Sequence, residues 1–167
     1  GRVEHLQETF DMTVVAKEIG DMFNAQAELE QKYFTLDIKL EPVNVSGDLQ
    51  GLHQILNNVL SNAVKYTPAG GKISFMVRRE KDKNNRANFS FIVQDTGCGM
   101  SEKFLEKIYT PFERDSRFGV PKVTGTGLGM AIVKSLVERL DCTIHISSKV
   151  DEGTCVIISL PFMLAPE

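Results

Sequence analysis

Three groups of residues carry side chains or backbone suited to chemistry. The first is Asn58, Asn62 and Lys65. At i, i+4 and i+7 of a helix they fall within an arc of roughly 60°, away from the Leu/Ile/Val stripe of the same segment. Asn is a poor helix former, so two asparagines one turn apart call for a reason. Amide oxygens suit a hard cation such as Mg²⁺, and an adjacent ammonium suits phosphate; the plain alternative is a solvated polar face. The second group is Asp95-Thr96-Gly97-Cys98-Gly99, directly after an alternating strand pattern. Such a strand delivers a carboxylate to a sheet end, and the glycines permit tight turns and close approach of a ligand; an ordinary Asp/Gly turn is the alternative. The third is Gly125-Thr126-Gly127-Leu128-Gly129, leading straight into a helix. A helix start with free backbone N–H groups is an anion site, although a short glycine loop serves equally as a structural turn. It is neither a dinucleotide fingerprint, because Met130 stands where the third glycine belongs, nor a Walker A loop, because no GxxxxGK[ST] occurs.

The elements that must position these groups follow from periodicity. Apolar residues from Thr13 to about Gln31 recur at helical spacing, with Asp11 or Thr13 as cap. Phe34, Leu36, Ile38 and Leu40 alternate as a half-buried strand that Pro42 ends. Asp48 opens a strongly amphipathic helix, which Thr67-Pro68-Ala69-Gly70-Gly71 terminates. Two strands centred on Phe75 and Phe91 flank a charged stretch, Glu80–Asn88, that reads as a solvated hairpin loop. A short helix capped by Ser101, a loop over 113–126, a helix over Leu128–Leu140 and two closing strands near 143–148 and 154–160 complete the chain. Strand pairs joined by short turns imply antiparallel pairing, and helices must cover one face. The expected fold is therefore α+β, a two-layer sandwich with a mixed, mostly antiparallel sheet.

Composition narrows the function classes. The chain has 167 residues, 42% of them hydrophobic and 25% charged, with a net charge of -3. This is the profile of one globular domain. It argues against nonspecific nucleic-acid binding, which needs a basic face, and no apolar run reaches the ~18 residues of a membrane span. Cys98, Cys142 and Cys155 show no CxxC or zinc-ligand spacing, which predicts reduced and mostly buried thiols. The chain begins with Gly1, so a segment cut from a longer protein is expected, and only His5, His53 and His145 are available for histidine chemistry.

Taken in order, Asn58-x-x-x-Asn62-Ala63-x-Lys65-Tyr66, Asp95-x-Gly97-x-Gly99, Pro111-Phe112, Gly125-Thr126-Gly127-Leu128-Gly129 and Gly153-Thr154 resemble the ATP-binding domain of sensor histidine kinases. That domain belongs to the GHKL group, with DNA gyrase B, the ninety-kilodalton heat-shock chaperone and the mismatch-repair ATPases. The resemblance spans residues 10–162 and implies the Bergerat sandwich. Residues 1–9 would then be the end of the preceding dimerisation helix or a linker, and 163–167 a tail.

The resemblance also implies roles. Asp95 would accept from the adenine amine, Gly97 and Gly99 would shape the floor of that pocket, Tyr66 would pack on the base, and Thr154 would reach it through water. Asn58 and Lys65 would face the phosphates as the catalytic pair, and Asn62 would hold Mg²⁺. Thr126, Gly127, Leu128 and Gly129 would meet phosphate, 113–126 would form a lid with Phe112 at its base, and Lys122 would lie near the γ-phosphate. Hydrolases of the group carry Glu where Asn58 stands, and an amide cannot take a proton from water; the resemblance thus implies ATP held for transfer. The implied activity is donation of the γ-phosphoryl group to a histidine on a separate dimerisation domain of the same protein, with a response-regulator receiver domain downstream, in the cytoplasm, the parent protein being one that can be anchored in the inner or plasma membrane. A regulatory nucleotide-binding module and an anti-sigma-factor Ser/Thr kinase are the alternatives. Asp141-Cys142 replaces a frequent Gly-Gly, which predicts a helix end without its favoured cap.

Overall fold

The computed structural model describes residues 7–109 and 129–166. Their elements run β1 (Glu8–Asp11), α1 (Met12–Leu29), β2 (Tyr33–Lys39), β3 (Asn44–Gly47), α2 (Leu49–Tyr66), β4 (Lys72–Lys83), β5 (Arg86–Asp95), α3 (Glu102–Leu105), α4 (Gly129–Arg139), β6 (Thr143–Lys149) and β7 (Gly153–Leu164). Among the described residues, the strands form one sheet in the order β1-β3-β7-β5-β4-β2, with β6 also paired to β7. Every pairing is antiparallel except β2 with β4. The expected mixed, mostly antiparallel sheet is therefore what forms.

The caps act as the sequence implies. The Asp11 side chain accepts from the Thr13 N–H at 2.9 Å, Asp48 from Gly51 at 2.8 Å and Ser101 from Phe104 at 3.1 Å, each satisfying an N–H that the first helical turn leaves free. The apolar stripes of α1, α2 and α4 pack on one sheet face in a single core. Phe75, Phe89, Phe91, Ile158 and Leu160 meet Ile19, Leu52, Leu56 and Leu60 there, all at most 2% exposed. Burial of this kind supplies the main driving force.

Four details depart from the sequence reading. β1 and β3 were not expected; they pair with each other and, through β3, with the end of β7. β1 begins at Glu8, inside the expected linker, and β7 runs to Leu164, two residues into the expected tail. The charged stretch Glu80–Asn88 is mostly strand: β4 continues to Lys83, β5 starts at Arg86, and only Asn84 and Asn85 turn, with φ of 54° and 61°. Two positive φ angles match the twist of a two-residue hairpin, and Asn tolerates them. At the end of α4, Asp141 adopts φ 55° and so takes the left-handed position that a glycine would. Cys142 is buried, Cys98 and Cys155 are half-buried, and all three thiols are free. Burial, helped by the Asp141 carboxylate, pushes the Cys142 thiol up to about 12.

Candidate nucleotide site

Asp95 closes β5, opposite Thr154 at the start of β7. Its side chain is 9% exposed, and one carboxylate oxygen accepts from the Gly97 N–H at 2.8 Å. Burial raises its pKa, while the N–H groups of Gly97 and Thr154 pull the other way. A carboxylate held this far from water, with few donors of its own, is poised to receive one from a ligand.

The floor around Asp95 is backbone at close quarters. Gly99 sits at φ +66°, and a methyl there would meet the Lys149 carbonyl oxygen at 2.0 Å. Gly153 sits at φ +125°, and a methyl there would lie 2.0 Å from the Asp95 carbonyl oxygen. Gly97 abuts the Tyr66 carbonyl, to which the Cys98 N–H donates at 3.3 Å. The Asp95 loop is thus fastened to the C-terminus of α2. Ser148 fastens it to β6 as well: its hydroxyl accepts from the Met100 N–H at 2.8 Å and lies 3.1 Å from the Gly153 carbonyl and 2.8 Å from the Thr154 hydroxyl. A depression of about 260 Å³ opens here, its lining including Asp95, Ser148, Gly153 and Thr154.

Asn58, Asn62 and Lys65 lie on α2, all half-buried beside its fully buried stripe. A methyl on Gly129, the first residue of α4, would come within 3.4 Å of Asn58 Oδ1, so the structure brings these two expected site residues together. Tyr66 ends α2 next to the Asp95 loop. Among the described residues no group of three or more His, Cys, Asp or Glu could hold a metal ion. Phe112, Lys122, Thr126, Gly127 and Leu128, and the expected lid over 113–126, lie outside the described residues.

Two residues that the sequence reading passed over hold this frame. One is Ser148. The other is Lys32, whose side chain is 8% exposed. Its ammonium donates to the Val64 carbonyl at 2.5 Å and pairs with Glu30 at 2.8 Å. It therefore satisfies an orphan carbonyl of the last turn of α2, the turn that carries Lys65 and Tyr66. A lysine three residues after a helix gives no signal of such a contact; only the long-range packing reveals it.

Known proteins resemble this chain in sequence and in fold. Residues 47–164 match the family model described as histidine kinase-, DNA gyrase B-, and HSP90-like ATPase. The chain is 40% identical over 111 residues to the autoinducer 2 sensor kinase/phosphatase LuxQ of Vibrio vulnificus, covering 66% of this chain and 13% of that protein. It is 31% identical over 157 residues to the sensor histidine kinase AtsR of Burkholderia thailandensis, covering 92% of this chain and 26% of that one. The chain thus spans about a quarter or less of the curated relatives it matches. Among solved structures, the mycobacterial sensor histidine kinase MprB superposes with a TM-score of 0.74 at 25% identity, covering 96% of this chain and all of that one. Full-length ShkA in complex with AMPPNP gives 0.80 at 22% identity, covering the whole of this chain and 33% of that one. The chain belongs to the histidine kinase-, DNA gyrase B- and HSP90-like ATPase family, as an ATP-binding catalytic domain of the sensor-histidine-kinase type.

Proposed function

We propose that this domain binds Mg·ATP and supplies the γ-phosphoryl group for phosphorylation of a histidine on a separate helical dimerisation domain. The observation that carries the reading is Asp95, a nearly buried carboxylate at a glycine floor where added Cβ atoms would collide with main chain. Only a flat ligand bringing its own hydrogen-bond donor suits such a place, and the amine edge of adenine is one. Tyr66 packs on the base, with Gly97 and Gly99 beneath it and Thr154 beside Asp95. The triphosphate then runs along α2 past Lys65 and Asn58 towards the start of α4 at Gly129, where Thr126, Gly127 and Leu128 precede the helix. Asn62 would hold the metal through its amide oxygen. Mg²⁺, when bound, neutralises phosphate charge and orients the group to be transferred.

The chain's own residues favour transfer over hydrolysis. Asn58, facing the phosphates, has no basic atom to take a proton from water. Among the described residues, His53 lies on α2 and His145 on β6, both within the nucleotide domain itself, and the proposed acceptor is a histidine of a separate domain of the parent protein. From that histidine the phosphoryl group passes to a response-regulator receiver domain on the cytoplasmic side.

The test is to present the chain with a helical-hairpin domain bearing a phosphoacceptor histidine, together with γ-labelled ATP and Mg²⁺. Acid-labile label on the hairpin is expected with the wild type. Asp95→Asn should cut both labelling and ATP affinity about a hundredfold, since it replaces the acceptor of a buried, complementary bond. ATP binding without any transfer to the hairpin would leave a regulatory module instead.

A further inference from the structure

Ser148 makes three contacts with one proton. The Met100 N–H at 2.8 Å can only donate to it, and the Gly153 carbonyl at 3.1 Å can only accept from it. The third partner, the Thr154 hydroxyl at 2.8 Å, could do either. All three contacts are hydrogen bonds at once in a single arrangement: Ser148 donates to Gly153 and accepts from both Met100 and Thr154. The proton of Thr154 is then turned towards Ser148, and its remaining lone pairs are left for the pocket.

We infer that Ser148 is a specificity-determining positioning residue, which locks Thr154 as a hydrogen-bond acceptor beside the Asp95 carboxylate. The inference rests on the reading of this pocket as the adenine site. Asp95 and Thr154 are opposite each other in the β5–β7 register, so this pair presents two neighbouring acceptors, with the Thr154 proton turned away. That pair suits a base edge carrying an exocyclic amine, which has two hydrogens to give. A base with a carbonyl in that place sets a third acceptor against these two, and its nearest hydrogen, on the adjacent ring nitrogen, reaches them only if the base shifts. Ser148 itself does not touch the base; it acts by removing the freedom of Thr154 to rotate its proton into the pocket and so accommodate the wrong edge.

The experiment measures the affinity of the chain for ATP and for inosine triphosphate, which has a carbonyl in place of the amine and a hydrogen on the adjacent ring nitrogen. Wild type should prefer ATP. Ser148→Ala should lower the ATP-to-ITP preference about three- to tenfold, the scale of one neutral hydrogen bond, and Ser148→Thr, which keeps the hydroxyl, should restore it. Thr154→Val leaves both backbone contacts of Ser148 in place and should lose the same preference, so it decides the matter even where Ser148→Ala fails to fold. The double variant Ser148→Ala/Thr154→Val should discriminate no worse than Thr154→Val alone, because one residue acts through the other. An unchanged preference in Thr154→Val, or equal losses for both nucleotides in a folded Ser148→Ala, overturns the proposal. A wild type that binds neither nucleotide overturns the adenine reading first, and this inference with it.

Discussion

At the Asp95 end of the site the frame is main chain; along α2 it is side chain. The floor is made where β5, the loop after it, β6 and the start of β7 converge so closely that Gly99 and Gly153 have carbonyl oxygens 2.0 Å from where a Cβ would stand. Asn58, Asn62 and Lys65, by contrast, are half-exposed side chains spaced along one helix. The first region can change only by moving backbone, and backbone in a sheet is held by its ladders. The second can change one residue at a time. Recognition of a fixed flat base belongs in the first. Handling of phosphate and a hydrated cation, whose geometry shifts during transfer, belongs in the second.

The sharpest way to break this contrast is at Gly153. Gly153→Ala places a methyl against the Asp95 carbonyl at a φ of +125°, so sheet pairing between β5 and β7 must yield. The expected cost is about 3 kcal/mol or more, read as a fall in Tm of ~6–12 °C in a domain of this size. A variant that melts with the wild type would show that the floor is compliant and the contrast unfounded.

Asn62→Ala probes the other region and should leave the fold almost untouched. The side chain is half-exposed, and Ala is the better helix former, so a stability change within about 0.5 kcal/mol is expected. ATP affinity should instead lose its dependence on Mg²⁺, by about tenfold at saturating metal. Calorimetry with and without Mg²⁺ reads this directly. An undiminished Mg²⁺ effect in the variant would remove Asn62 from the metal site.

The two regions were also unequally legible from sequence. The helical arc was visible because its geometry is local: three polar residues at 58, 62 and 65 against a continuous apolar stripe fix both the helix and the face. Caps at Asp11, Asp48 and Ser101 were legible for the same reason, each bonding two or three residues on. The floor was only half legible. Asp95, Gly97 and Gly99 carried a signal in their order, but Ser148 is one serine in an alternating strand, and its partners lie 48 and five residues away. β1 and β3 were missed because four-residue strands have almost no periodicity of their own, and pairing with each other and with β7 is what makes them strands. The hairpin was read as a loop because charged side chains on both faces hide the alternation, while the backbone ladder continues to Lys83 and Arg86 regardless. Asp141 shows the converse: the expected weak helix end is met by an aspartate that takes up the left-handed turn itself.

The smallest effect expected is electrostatic and lies in the floor. Asp95 has its pKa raised by burial from the ordinary value of 3.8. The folded state therefore holds the Asp95 proton more tightly than the unfolded chain does. As pH rises from below 3.8 through the raised value, the unfolded chain releases its proton first, and the fold loses the corresponding stability; above the raised value the loss is complete. Each unit of separation corresponds to about 1.4 kcal/mol. Asp95→Asn has no such group. The stability difference between variant and wild type should shift in favour of the variant across this window and be level above it. The Gly97 and Thr154 N–H contacts act on the ionised carboxylate and are already contained in its pKa, while any change in neutral packing in the variant adds a pH-independent offset, so the slope is what matters. Denaturant titrations of both proteins between pH 3 and 8 would show it. A difference that does not change with pH would mean that the backbone donors of Gly97 and Thr154 offset the burial of the carboxylate in full, and that even the main-chain floor is solvated enough to hold a charge at no cost.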